Sequence, residues 1–157
     1  MHRLPTVITR AGAAAALALA TVAAVAVAPA DAAVSQTYLN GYESRVVTAI
    51  NVQRAAHGLH AVRYTSCPDR FAEALATKLR TASTLSHQNL GPIMSTCGAT
   101  RASENIARAR TSASGVVSLW MHSAGHRANI LDPNVNQIGV GTECASMCTT
   151  VADFIKR

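Results

Sequence analysis

The fold of this 157-residue chain is decided by one stretch, Trp120-Met121-His122-Ser123-Ala124-Gly125-His126-Arg127-Ala128-Asn129-Ile130-Leu131. Asp132-Pro133-Asn134 follows directly, and Ile138-Gly139-Val140-Gly141 comes a few residues later. Apolar positions recur through the stretch, while the histidines within it can transfer a proton or bind a metal. The pattern therefore predicts a packed helical segment that carries a reactive side chain next to a core.

Two shorter segments lie upstream, Leu85-Ser86-His87 and Ser103-Glu104-Asn105-Ile106-Ala107. A carboxylate in a segment as apolar as 103–107 needs a partner, which a histidinium or a metal would supply. The alternative is a carboxylate at a helix start, satisfied by backbone amides. His87 taken alone is more typical of a surface or hydrogen-bonded histidine than of a ligand. His126 follows Gly125, which we expect to end or kink the helix of Trp120 and so direct the imidazole into a cleft.

The order of these three segments resembles the CAP superfamily, the secreted cysteine-rich, antigen 5 and pathogenesis-related proteins, in its compact bacterial form. The resemblance runs from about Tyr42 to Phe154 and is most specific in the stretch 120–131. It implies an α+β fold, a three-layer α-β-α sandwich with a small antiparallel sheet. The domain division that follows is a secretory signal in 1–32, a short lead in 33–41 and the CAP domain in 42–157.

The same resemblance implies a cleft that gathers two histidines and acidic residues. By position, His87, Glu104 and His126 match its members, with Glu104 and His126 as the acid-base pair. Two histidines and one carboxylate are also the ligands of catalytic zinc sites with an open position. Where many members carry a second glutamate, this chain has Ser123 in the cleft, which removes a negative charge and makes zinc an optional cofactor. The glycine that usually precedes the glutamate is Ser103 here.

The remaining elements follow from periodicity and turn residues. We expect helices over 38–56, 68–81 with Ser66 at the cap, 103–110, and 115–123 capped by Ser112 or Ser114. We expect an extended linker over 59–64 with Leu59 and Val62 inward, an irregular loop over 84–102, and a C-terminal hairpin of strands 137–143 and 149–155. Val116, Leu119 and Trp120 should line the buried side of their helix, and Gly139 and Gly141 should permit close packing.

The four cysteines permit three disulfide pairings. Cys144 and Cys148 are close enough to staple the hairpin turn, which leaves Cys67 with Cys97. A zinc site built from the cysteines is the rival interpretation, although the chain has no C-x2-C pair.

The N-terminus predicts export. Arg3 and Arg10 precede an Ala- and Val-rich run over 11–28, and small residues before position 33 predict cleavage after Ala32 or one residue later. A membrane anchor is the alternative, since about 18 apolar residues is the lower limit for a span. Cleavage would leave 12 basic and 7 acidic residues, near +5, after the loss of Arg3, Arg10 and Asp31 from 14 and 8.

These features lead to two hypotheses for a secreted, extracellular and monomeric protein. The first is a module that binds a lipid, a sterol or a cell-envelope component through the His/Glu cleft, as activities of the wider family imply. The second is a hydrolase, metal-assisted or using Glu104 and His126. The scattered basic residues do not predict nucleic-acid binding, and Ser86 and Ser123 lack the Gly-x-Ser-x-Gly setting of a serine nucleophile. We expect His57 and His60 to be exposed, Trp120 and Tyr64 to be in the core, and His122 to be a weaker candidate for the cleft.

Overall fold

The computed structural model describes Met1 and residues 36–157. Residues 2–35, which hold the rest of the predicted signal and part of the predicted lead, lie outside the described residues. The helices are α1 Gln36–Ala56, α2 Ser66–Leu79, α3 Gly91–Cys97, α4 Ala113–Met121 and α5 Ala124–Ile130. The strands are β1 Arg63–Tyr64, β2 Arg101–Ala109, β3 Gln137–Cys144 and β4 Cys148–Lys156.

The four described strands form one mixed sheet in the order β1-β3-β4-β2. Strands β3 and β4 make the expected C-terminal hairpin, from Gln137 opposite Ile155 to Cys144 opposite Cys148. Strand β2 pairs antiparallel with β4 over all nine of its residues. The prediction of an antiparallel sheet is wrong at one edge, because β1 runs parallel to β3. The extended linker 59–64 supplies this short strand. The chain then passes through α2, α3, β2, α4 and α5 before it enters β3 parallel to β1.

Helices cover both faces of the sheet, which confirms the three-layer α-β-α sandwich. Strand β4 is buried on both sides: Ala152 and Phe154 pack with α1 and α4, whereas Val151 packs with α2 and Ile155 with α3. Trp120 lies in the first of these clusters with only 1% of its surface exposed. Burial on both faces explains why β4 shows no alternation of polar and apolar residues.

Helix α2 lies directly on β3 because two glycines remove the side chains between them. A Cβ at Gly139 would overlap the backbone of Asp69, and one at Gly141 would overlap the backbone of Glu73. The prediction that these glycines serve close packing is confirmed. Asp69 also accepts a hydrogen bond from the Val140 amide at 3.1 Å, which fixes the position of α2 along the strand.

The C-terminal half of α1 is fastened by a buried arginine. Arg54 is 1% exposed and donates to the carbonyl oxygens of His60, Ile130, Asp132 and Val135 at 2.8–3.3 Å. These carbonyls belong to the linker after α1 and to the end of α5 with the turn that follows. A guanidinium has enough donors in a fixed plane to join several such segments at once.

The largest difference from the sequence prediction concerns residues 103–110. The sequence predicts a helix there, whereas 103–109 belong to the strand β2. The segment contains residues compatible with a helix, but its nine-residue ladder with β4 and the burial of Glu104, Asn105 and Ile106 in sequence favour a strand. Tertiary pairing here overrides local propensity.

Smaller differences have local causes. The predicted loop 84–102 contains α3, which begins next to Pro92 and ends at Gly98 in the left-handed conformation, φ 61°. Gly125 does not end the preceding helix, since α4 stops at Met121 and Gly125 lies in α5. Leu119 is 52% exposed rather than buried. At the N-terminus of α4 the Ser112 hydroxyl accepts from the Gly115 amide, as predicted for the cap.

Both predicted disulfides are present, Cys67–Cys97 between α2 and α3 and Cys144–Cys148 across the hairpin turn. All four cysteines are paired, so the cysteine zinc site is wrong. Within the described residues, no helix is both long and apolar enough to cross a membrane.

Candidate functional site

The site is built around β2, the strand at one edge of the sheet. Neighbouring residues in a strand point to opposite faces. Glu104 therefore lies on the face covered by α2, and Asn105 lies on the face covered by α5. An edge strand allows groups on both faces to approach the same rim, and the charge of His87 affects His126.

The Glu104 carboxylate is the centre of a hydrogen-bond network. Its Oε1 lies 2.5 Å from Nδ1 of His87, and its Oε2 accepts from the Gln88 side-chain amide at 2.7 Å. The Glu104 side chain is 2% exposed, whereas that of His87 is 64% exposed. A buried carboxylate thus orients an imidazole whose far side faces solvent.

A second carboxyl group, not anticipated from the sequence, lies next to Glu104. Asp153 is the cross-strand partner of Glu104 and is completely buried. The Gln88 amide donates to its Oδ2 at 3.0 Å, so this one amide reaches both carboxyl groups. Burial first, then the charge of Glu104 and a hydrogen bond between the two carboxyl groups, raise the pKa of Asp153 to about 8. Asp153 therefore holds a proton at neutral pH.

His126 reaches the rim from α5. Asn105 donates to the His126 carbonyl at 3.0 Å, and Asn129 donates to the Glu104 carbonyl at 3.0 Å and to Asn105 Oδ1 at 2.9 Å. These bonds attach α5 to the outer face of β2. Burial and, secondly, the nearby charge of His87 lower the pKa of the half-buried His126. A neutral imidazole at neutral pH is the result.

The other residues considered in the sequence analysis differ in exposure and in their hydrogen-bond partners. Ser123 is half-buried at the N-cap of α5, but its side chain makes no capping hydrogen bond. His122 is exposed and its Nδ1 lies 2.7 Å from the Ser118 carbonyl one turn earlier. His57 and His60 are exposed, as expected. Tyr64 was expected in the core and is 52% exposed, because the strand β1 lies at the sheet edge.

Asp153 and Gln88 were missed for different reasons. Asp153 is a lone acid in an apolar strand, a pattern that signals a buried group with a special partner, and this signal was available in the sequence. Gln88 lies in a loop without periodicity, and only the folded chain shows that it reaches two carboxyl groups.

A second group of carboxylates lines a cavity of about 470 Å³ between α1 and α2. Burial, with the charge of Glu73 second, raises the pKa of Glu43 to about 8, and burial followed by the charge of Asp69 raises that of Glu73 to about 7. Glu43 accepts from the Thr142 amide at 2.7 Å, and a hydrogen bond joins its carboxyl group to Glu73. The two glutamates share a proton near neutral pH.

The sequence predicts a zinc site from His87, Glu104 and His126, and the structure shows a direct contact between two of them, His87 and Glu104. Nδ1 of His87 is engaged by Glu104, which leaves Nε2 for an ion, an arrangement in which a carboxylate orients a ligating histidine. Among residues 36–157, no three His, Cys, Asp or Glu side chains form a ready cluster for a metal. His87 and His126 would hold a zinc ion, with Glu104 orienting His87.

Comparison with known protein families identifies the family of this chain. Residues 47–153 match the profile of the cysteine-rich secretory protein family, CAP. The chain belongs to the CAP family. It is 33% identical over 110 residues to the Bacillus subtilis uncharacterized protein YkwD, a match that covers 66% of this chain and 43% of that protein. The chain thus spans less than half the length of this curated relative.

Solved CAP-like structures share the fold. An extracellular protein containing an SCP domain from Bacillus anthracis superposes with a TM-score of 0.69 at 20% identity, covering 80% of this chain and 45% of that one. An outer surface protein from Borrelia burgdorferi gives a TM-score of 0.64 at 20% identity, covering 73% of this chain and 91% of that one. At such identities the likeness establishes the architecture of this CAP protein and leaves its ligand to be argued from the site.

Proposed function

We propose that this CAP protein is secreted and binds a polar component of the cell envelope through the cleft formed by His87, Glu104 and His126. The observation that carries the proposal is an exposed imidazole held by a buried carboxylate, His87 on Glu104. Such a pair presents a fixed polar group to solvent, which favours a hydrogen-bonding ligand. Two disulfides and the surface-protein neighbours are consistent with export.

A lipid or sterol ligand is less well supported. It would need an apolar pocket at the cleft, whereas the groups gathered at this rim are His87, Gln88, Glu104 and His126. The chain also has only two Phe and one Trp to line such a pocket.

The test measures cosedimentation of the purified protein with isolated cell-wall sacculi and, separately, with phospholipid vesicles. The double variant His87→Ala, His126→Ala should lose most of its binding to sacculi. The matched control is His57→Ala, His60→Ala, which removes two exposed histidines outside the cleft and should bind normally. Equal binding by both variants would refute the cleft as the ligand site, and binding to vesicles alone would favour the lipid alternative.

A hydrolase is the second candidate, and the lowered pKa of His126 favours it. A neutral His126 imidazole, close enough to His87 to be affected by its charge, can accept a proton from water at neutral pH. Zinc on His87 and His126 would add Lewis-acid chemistry. Release of soluble fragments from sacculi, lost in Glu104→Gln and retained in His57→Ala, would support this activity over binding alone.

A further inference from the structure

The acidic residues within the described part of the chain are all buried or half-buried. Three of them are buried, Glu43, Glu104 and Asp153, and the other four are half-buried, Asp69, Glu73, Asp132 and Glu143. By contrast, ten basic residues are exposed: Arg45, Arg63, Arg70, Lys78, Arg80, Arg101, Arg110, Arg127, Lys156 and Arg157. The outer surface of the described chain is therefore more cationic than the formal charge suggests.

Four of these cations form a row across one end of the sheet. Arg101 on β2 is the cross-strand partner of Lys156 on β4, and Arg157 follows Lys156. On the other side Arg63 on β1 donates its amide to the Asn136 carbonyl at 3.0 Å. The Asn136 side chain in turn binds the backbone of Arg157 through both its amide nitrogen and its oxygen, at 3.0 and 3.1 Å.

Backbone hydrogen bonds thus fix the positions of these residues at one end of the sheet. Because neighbouring residues of a strand face opposite sides, Arg101 and Lys156 point to the α5 face and Arg63 and Arg157 to the α3 face. Arg63, Arg157 with Lys156, and Arg101 stand on successive strands, with Asn136 between the first two. Strands in a sheet are about 4.8 Å apart, so the row spans about 14 Å. We name these four residues, Arg63, Arg101, Lys156 and Arg157, the cationic row.

Little negative charge compensates the row. Asp132 pairs with Arg101 at 2.6 Å, yet the Arg101 side chain remains 54% exposed. The row also lies beside the cleft, because Arg101 is three residues from Glu104 along β2, about 10 Å at the rise of a strand.

We propose that the cationic row binds an extended polyanion with repeating phosphate groups, such as a phosphodiester polymer of the cell envelope. Arginine offers paired donors that match phosphate oxygens. Cations that extend from both faces at one end of the sheet can contact successive phosphates of a chain that lies along this end. This surface is separate from the ligand contacts of the cleft, and its test uses none of the cleft residues.

The exposed apolar residues favour a polymer over a membrane surface. Binding to a bilayer interface uses apolar side chains beside the cations. The large exposed apolar side chains Val52, Leu85, Leu119 and Met147 lie on other elements. Tyr64 adjoins Arg63, but its hydroxyl donates to Asp69 at 2.8 Å, which holds the ring toward α2.

The test measures binding of the purified protein to long-chain inorganic polyphosphate by fluorescence anisotropy over a range of salt concentrations. The row variant changes Arg63, Arg101, Lys156 and Arg157 to Gln. The matched control changes four exposed cations of α1 and α2 to Gln, namely Arg45, Arg70, Lys78 and Arg80, and so removes the same charge. A smaller variant, Lys156→Gln with Arg157→Gln, avoids the Arg101–Asp132 pair if the row variant unfolds.

The row variant should weaken binding by about tenfold or more and lower the slope of log K against log salt by about 3, whereas the control should change affinity by less than about twofold. The smaller variant should show about half of the slope change. Equal losses in the row and control variants would overturn the proposal, because binding would then follow total charge. Tighter binding to vesicles of anionic phospholipid than to polyphosphate would also overturn it, in favour of a membrane surface.

Discussion

Asp153 faces Glu104 across the ladder between β4 and β2, and the side-chain amide of Gln88 donates to both carboxyl groups, at 3.0 and 2.7 Å. Because both carboxyl groups are buried, the amide supplies the hydrogen bonds that water supplies to an exposed carboxyl group. The bridge also connects the loop after α2 to the sheet. The position of His87, one residue earlier, depends on this connection.

Gln88→Ala should therefore destabilise the protein by about 1–3 kcal/mol, since two buried carboxyl groups lose a donor. Urea denaturation followed by circular dichroism measures the change. Gln53→Ala on α1 is the control and should alter the free energy of unfolding by less than about 0.5 kcal/mol. If Gln88→Ala lowers the free energy of unfolding no more than Gln53→Ala does, water replaces the amide as the hydrogen-bond donor.

The effect of the His87 charge on His126 predicts that the two rings lie near each other, and this prediction can be tested. His87→Ala removes a positive charge that lowers the pKa of His126, so that pKa should rise. The rise should be partial, because burial is the larger cause of the lowered value. An NMR titration of the His126 ring protons gives the pKa directly, with His57→Ala as the control. An unchanged pKa would place the two rings too far apart to form one site.

The sequence singles out His87, Glu104 and His126 as candidate site residues, but it could not assign their geometry. If 103–110 were a helix, Glu104 would share a face with Arg108 four residues later. As a strand, the same segment places Glu104 opposite Asp153, a partner nearly fifty residues away. The strand assignment depends on pairing with β4, which local propensity does not contain. The hairpin, by contrast, was predictable because its turn and the Cys144–Cys148 link are local.

Helix α3 shows the opposite case, a feature that the sequence signals but the prediction missed. Pro92 near the first turn and Gly98 after the last one are ordinary helix boundaries. The helix has only seven residues and a polar composition, so periodicity gave no support for it. Its attachment comes from the Cys67–Cys97 bond and from Ile93, which is fully buried against Ile155.

The shared proton of Glu43 and Glu73 should make stability depend on pH. Glu43 has a pKa of about 8 in the folded protein against 4.5 for an ordinary glutamate. The folded state therefore holds more protons between these values, and stability falls as pH rises from about 4.5 to about 8. Glu43→Gln resembles the protonated group, since its oxygen can still accept from the Thr142 amide and its nitrogen can donate to Glu73.

Glu43→Gln should accordingly flatten the pH profile and raise the stability at pH 8.5 by about 1 kcal/mol or more relative to the parent protein. At pH 5 the two proteins should be nearly equal. Thermal unfolding across this range checks the expectation, and Glu143→Gln, which removes a neighbouring charge without touching the pair, should keep most of the slope. A parallel profile for Glu43→Gln and the parent would mean that Glu43 is ionised in the folded state.

The two disulfides should contribute unequally. Cys67–Cys97 joins residues 30 apart, and Cys144–Cys148 joins residues 4 apart. On the chain-entropy account the longer loop contributes about 4 kcal/mol and the shorter one about 2 kcal/mol. Replacing each pair by serines and measuring unfolding in urea tests this order. A larger loss from the hairpin pair would show that its effect lies in the folded turn rather than in the unfolded chain.

Zinc binding should require both histidines and respond to pH. An ion on Nε2 of His87 and on His126 binds only the neutral rings, so binding should disappear as the histidines protonate below about pH 6. Zinc titration by calorimetry at pH 7.5 and 5.5, with the thermal midpoint as an independent readout, measures this. His87→Ala with His126→Ala should abolish the zinc-dependent rise in the midpoint, which follows from binding to the folded state alone.

The control variant, His57→Ala with His60→Ala, should retain the zinc-dependent rise. Glu104→Gln should weaken binding without abolishing it, because Glu104 orients His87 instead of donating to the ion. A parent protein whose midpoint zinc leaves unchanged at pH 7.5 would remove the metal from the proposed chemistry and leave the pair of Glu104 and His126 to act without it.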